Sequence, residues 1–152
     1  MQTRLGEMLK KAALLDEAKA WKDSNTPELQ QKYVEKWIKG DQLFKKGVDE
    51  DDKLLGVYSI TTQILSGGRK KAGSHYTLFD TGQFYRSIFT RVLSESLFID
   101  ADFAEMPDQN WWNENNLNEE KILGLTDENL EKFKTEIAKG YLEYTRRILG
   151  ID

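Results

Sequence analysis

The sequence predicts an α+β fold: two N-terminal helices, a small antiparallel β-sheet with a central hairpin, and a C-terminal helix packed on that sheet. Three observations carry the prediction. Apolar residues recur at helical spacing through residues 3–22 and again through 27–47. The period falls to two between Ile88 and Ala101. Helical spacing then returns over 127–149, with a start and a stop signal at its two ends.

The first helix rests on Leu5, Met8, Leu9, Ala12, Leu15 and Trp21. Ser24-Asn25-Thr26-Pro27 interrupts it and starts the next. Thr26 can accept a bond from the first turn, and Pro27 fits the first helical position. Leu29, Tyr33, Trp37 and Phe44 mark the core face of the second helix, and Gly47 ends it. The short loop makes the two helices antiparallel neighbours. Residues 51–65 carry two signals. Leu54, Tyr58, Thr61 and Leu65 fit a helix, whereas Val57-Tyr58-Ser59-Ile60-Thr61-Thr62 is rich in strand formers; the helical reading is preferred. Gly67 to Ser74 is a basic loop.

Phe89, Arg91 and Leu93 alternate with Ile88, Thr90 and Val92, and Leu97 and Ile99 resume the alternation after Ser94-Glu95-Ser96. This is a hairpin. Residues 102–120 form a long acidic loop carrying Trp111 and Trp112. Loops of that length in a small domain tend to be functional or mobile. In the last helix Leu130, Phe133, Ile137, Tyr141, Tyr144 and Ile148 share a face. Thr126 caps it, Asp127 and Glu128 suit its positive end, Arg146 and Arg147 its negative end, and Gly150 stops it.

The chain has 152 residues, enough for one domain over 1–152 with a core of its own. It has no cysteine, so disulfide scaffolds and thiolate metal sites are excluded. The opening Met1-Gln2-Thr3-Arg4 lacks the apolar run of a signal peptide, and no stretch reaches the length of a membrane span. A soluble protein folded in a reducing cytoplasm, without membrane contact, is the expectation. The net charge of −4 is unevenly spread. Residues 57–99 hold five basic and two acidic side chains, and residues 100–120 hold seven acidic and no basic ones. Either these are solvated loops, or opposite patches meet between identical subunits, head to tail.

The residues for catalysis are scarce. The one histidine, His75, lies in the Gly/Ser loop and reads as a solvated side chain. Ser74, His75 and Asp80 are near in sequence, but adjacency is not the geometry of a triad. Asp100, Asp102, Glu105 and Asp108 miss the calcium-loop pattern, which needs glycine at position 6 and glutamate at position 12; Glu105 and Trp111 stand there. Gly67-Gly68-Arg69-Lys70-Lys71 lacks the Gly-Lys-Ser/Thr ending of a phosphate loop. No catalytic residue, metal or cofactor is expected. With Tyr76 and Tyr85 nearby, the 67–76 loop could contact nucleic acid, although a pI near 5.2 makes that a secondary partner. Trp111 and Trp112 fit interface anchors or a lid over the hairpin.

Two segments carry a family resemblance. Leu78-Phe79-Asp80-Thr81-Gly82-Gln83-Phe84-Tyr85-Arg86-Ser87-Ile88 resembles the motif of the phage virion-morphogenesis and tail-completion family. In that motif Thr-Gly is followed two residues on by an apolar residue, then by Ser and an aliphatic residue before a strand. Ile122-Leu123-Gly124-Leu125-Thr126-Asp127-Glu128-Asn129-Leu130 resembles the family's closing element, Leu-Gly-Leu with a capped amphipathic helix. The likeness covers residues 75–150 and leaves the helical hairpin of 1–48 as an addition. It implies a structural virion protein of a tailed bacteriophage, a neck or head–tail joining subunit assembling into a ring with its own copies and with other neck, tail or connector proteins. Asp80, Thr81, Gly82, Phe84, Ser87, Ile88, Leu123, Gly124, Leu125 and Thr126 would then be architectural. Arg69, Lys70, Lys71, Trp111 and Trp112 are the expected contact residues. The alternatives are a small nucleic-acid-binding or assembly-regulating protein using the 67–76 loop, and an enzyme with a deep pocket of perturbed titratable groups.

Overall fold

A computed structural model describes residues 4–105 and 118–151. Helices α1 (Arg4–Ala12), α2 (Glu17–Ser24) and α3 (Pro27–Gln31) open the chain, and α3 runs on into a π-helical segment, Lys32–Lys46. Then come α4 (Ile60–Leu65), α5 (Gln83–Ser87), strands β1 (Phe89–Val92) and β2 (Leu97–Asp100), and a 3₁₀ turn, Phe103–Glu105. Helices α6 (Glu119–Leu123) and α7 (Asp127–Leu149) close it. The fold is α+β, and among the described residues the hairpin is its one sheet.

The sequence predicts one helix over 3–22, and the structure divides it. Asp16 sits in extended backbone and accepts a bond from the Lys19 N–H, capping α2, so the chain restarts there. The Tyr144 hydroxyl accepts the Asp16 N–H at 3.2 Å, which fixes the bend against α7. The stripe expected in the core is consequently turned outward in part: Leu5, Leu9 and Leu15 are exposed. The helical reading of 51–65 is also corrected. Bridges Val48↔Leu54 and Val57↔His75 hold the first half extended, and only Ile60–Leu65 is helical, capped by Ser59.

The π winding re-sorts the second helix. In it each N–H bonds five residues back rather than four. Buried positions therefore step by four and five: Tyr33 and Val34, Trp37 and Ile38, Gln42 and Leu43. Phe44, expected in the core at α-helical spacing, is 53% exposed and meets Phe79 edge to face at 6.1 Å instead.

The hairpin agrees with its alternation. Phe89 faces Asp100, Thr90 faces Ile99, Arg91 faces Phe98 and Val92 faces Leu97. Leu97 and Ile99 pack on the core, while Phe89 and Phe98 face out. Helix α7 spans the predicted residues. Thr126 caps it by accepting the Asn129 N–H, and Gly150 closes it. It packs most extensively on α2, then on α1 and the π segment, rather than chiefly on the sheet as expected. The two N-terminal helices meet through it. Phe133 takes Trp21 edge-on at 6.2 Å and Tyr33 at 5.5 Å.

The α2–α7 crossing is close because of Gly140, where an added Cβ would lie 2.6 Å from Ser24 Cβ and 2.8 Å from Ser24 Cα. Backbone stands in the way, so the helices must part. Gly140→Ala is expected to destabilise by about 2 kcal/mol through overpacking. A Ser24→Ala background should not rescue it, because Ser24 Cα remains. Paired thermal melts check both statements.

Candidate interaction site

The first motif segment is built as a knot of local bonds. Leu78 is buried and takes a positive φ of 55°, turning the chain into Phe79. Gly82, at φ 80°, begins α5. Thr81 receives the Gln83 N–H on its hydroxyl, which in turn donates to Gln83 Oε1 at 2.7 Å. Phe84 and Ile88, one turn apart, both point into the core. Phe84 meets Phe103 at 5.6 Å. Ser87 donates to the Phe84 carbonyl at 2.8 Å and accepts the Asp102 N–H at 3.0 Å, tying the helix to the chain leaving β2. The Tyr85 hydroxyl donates to the Thr77 carbonyl, and burial, with Tyr58 nearby, pushes its pKa well above the ordinary phenol value.

The second segment is a joint. Ile122 and Leu123 are buried, and Leu125 packs on the core. Gly124 is needed for space: a Cβ there would lie 2.8 Å from Glu50 Cβ. Its carbonyl accepts from Gln42 Nε2 at 2.8 Å. Gln42 Oε1 accepts the Thr126 N–H at 3.1 Å and Asn129 Nδ2 at 2.9 Å. Gln42, Thr126 and Asn129 are each fully buried, so one polar network fastens α7 to the π segment. Sequence reading found Thr126 but missed Gln42 and Asn129. A glutamine in the last turn of a helix looks solvated unless the winding is known.

The expected contact residues divide. Trp111 and Trp112 lie outside the described residues, as does Asp108. Lys70 is 3.4 Å from Asp80 and lies over the Tyr58 ring at 5.7 Å, so its charge is engaged within the chain. Arg69 Nε donates to the Ser66 carbonyl, and Lys71 is exposed. Two carboxylates, Asp80 and Glu105, line one depression of about 220 Å³ with Thr81 and Gln83.

His75 is not a solvated loop residue. It is half-buried, and its Nε2 is 3.0 Å from the Phe44 carbonyl, pinning the loop to the end of the π segment. Ser74 donates to the Lys71 carbonyl and Asp80 holds Lys70, so the three residues of the sketched triad serve three different partners. Among the described residues no group of three or more His, Asp or Glu could hold a metal ion. Nor is any helix of these residues long and apolar enough to cross a membrane.

Sequence reading missed the most exposed apolar surface. Helix α4 contributes nothing to the core. Ile60 and Ile64 are each 72% exposed and Leu65 is 82% exposed. Val57, Leu54, Phe44 and Phe79 are also exposed. Reading 51–65 as one helix hid this. No family model matches the sequence, and no curated protein or solved structure matches it either.

Proposed function

We propose that this chain is a structural subunit of a tailed-phage particle, placed at the neck or tail end and acting through protein contacts, with no catalytic step. The observation that carries the reading is α4. A six-residue helix with three large aliphatic side chains in water is costly to keep exposed in a folded chain, and such surfaces mark sites of association. The two motif segments add to this. Their polar groups are consumed in local architecture, as a scaffold requires. The resemblance to tail-completion proteins supplies the setting.

The test is quantitative peptide mass spectrometry of phage particles purified from cells expressing the chain. A low, fixed copy number per particle is expected. Absence from particles despite abundance in the lysate would overturn the assignment. Ile60→Asp/Ile64→Asp gives the companion result. Both side chains are exposed, so stability should change by no more than about 0.5 kcal/mol, while incorporation into particles should fall sharply. Unchanged incorporation would remove α4 from the contact.

A further inference from the structure

The π segment creates a basic groove that α-helical reading conceals. Lys32, Lys36, Asp41 and Lys45 are spaced four, five and four residues apart. On an α-helix of 3.6 residues per turn, Lys36 and Asp41 would point to widely separated faces. With the hydrogen-bond step lengthened to five residues, all four fall on one face. They line a groove of about 450 Å³ between the π segment and α7, together with Trp37 and, from α7, Lys132 and Glu136. Some of this charge is engaged: Lys32 pairs with Glu136 at 3.1 Å, and Lys132 with Glu128 at 2.6 Å. Lys36 and Lys45 have no carboxylate partner among the described residues. A basic groove with two uncommitted ammonium groups takes a run of anions.

The same chain supplies such a run. Residues 100–120 carry seven carboxylates and no basic side chain. Asp100, Glu105, Glu119 and Glu120 are exposed, and none has a Lys or Arg partner among the described residues. We propose that this groove accepts the acidic 100–120 stretch of a neighbouring copy. The proposal rests on the assembly reading above and specifies its contact. A groove on one copy and a stretch on the next form a heterologous interface, which closes into a ring or continues as a filament. Nucleic acid is the other polyanion that fits lysines. The acidic balance of the whole chain, pI near 5.2, disfavours it, and the equal stoichiometry of groove and stretch favours the chain itself.

The experiment is sedimentation velocity on the full chain over a range of protein and salt concentrations, with matched charge reversals. The wild type should self-associate, less so as salt rises. Lys36→Glu/Lys45→Glu should weaken association about tenfold or more, and Glu105→Lys/Glu119→Lys likewise. Mixing the two variants should restore it, because each reversed groove then meets a reversed stretch. All four positions are exposed, and unchanged circular dichroism and melting would show both variants folded. A wild type that stays monomeric at every concentration overturns the proposal, as does association indifferent to the groove reversal. So does tight binding of a fluorescein-labelled DNA oligonucleotide that Lys36→Glu/Lys45→Glu abolishes while self-association persists. Failure here leaves the particle copy number untouched. Absence from particles, with the mixing result intact, would refute the virion setting and keep the contact.

Discussion

Replacing Gln42 by alanine is expected to destabilise the protein by about 3–4 kcal/mol. The side chain is fully buried, and three groups depend on it: the Gly124 carbonyl, the Thr126 N–H and the Asn129 amide. Truncation leaves all three without that partner inside the core and opens a cavity as well. Unfolding in urea would measure the loss. Gln42→Met separates the two causes, since it keeps most of the volume and makes none of the bonds. Its expected cost is about 2–3 kcal/mol. Asn129→Ala should cost about 2 kcal/mol, and the Gln42/Asn129 double-mutant cycle should show coupling of about 1 kcal/mol, because the two share one bond. The loss should be local first, with the Thr126 and Asn129 amides exchanging faster than those in the middle of α7. A Gln42→Ala cost under about 1 kcal/mol would mean that water replaces the network freely, and that packing alone fastens α7 to the π segment.

That network also shows where sequence reading succeeds and where it stops. Helix α7 and the hairpin were legible because their signals are local. Thr126, Asp127 and Gly150 mark the helix ends, and period-two alternation marks the strands. The inward positions of Phe84 and Ile88 were legible for the same reason. What was not legible depends on winding or on partners distant in sequence. A change from a four-residue to a five-residue step turns Phe44 out, brings Gln42 in and aligns Lys32, Lys36 and Lys45, with no change in composition. His75 looked solvated because its partner, Phe44, lies 31 residues away. Residues 51–65 were ambiguous because Tyr58, which suits either structure, is buried through contact with Tyr76 at 4.6 Å and Thr77 rather than through a helical face. Leu5 and Leu9 kept a helical period but lost the core, because Asp16 restarts the chain and seats α2 more extensively than α1 against α7.

Gly47→Ala is the second large prediction, and the molecule contains its own control. Gly47 ends the π segment at φ 63°, where an L side chain costs about 1–2 kcal/mol. Space is a separate matter. A Cβ at Gly47 would lie 2.5 Å from the Tyr76 carbonyl oxygen and 2.5 Å from His75 Cδ2. The crossing strand cannot yield cheaply: the Gly47 carbonyl accepts the Leu55 N–H, Tyr76 N–H donates to Gly56, and the His75 ring holds Phe44. The expected total is about 3 kcal/mol, or roughly 6–12 °C in Tm for a chain of this size. Gly67 has the same φ of 63° and nothing within 4 Å of an added Cβ. Gly67→Ala should therefore carry the backbone cost alone, about 1 kcal/mol. The difference between the two variants is the free energy of the close approach, with conformational strain cancelled. His75→Ala, which keeps the Cβ contact and loses the ring bond, should cost about 1 kcal/mol. In the Gly47→Ala background it should cost less, because the displaced strand has already weakened that bond. Equal losses at Gly47 and Gly67 would show that the 74–77 segment does not bear on the helix end. The anchoring role assigned to His75 would then fail with it.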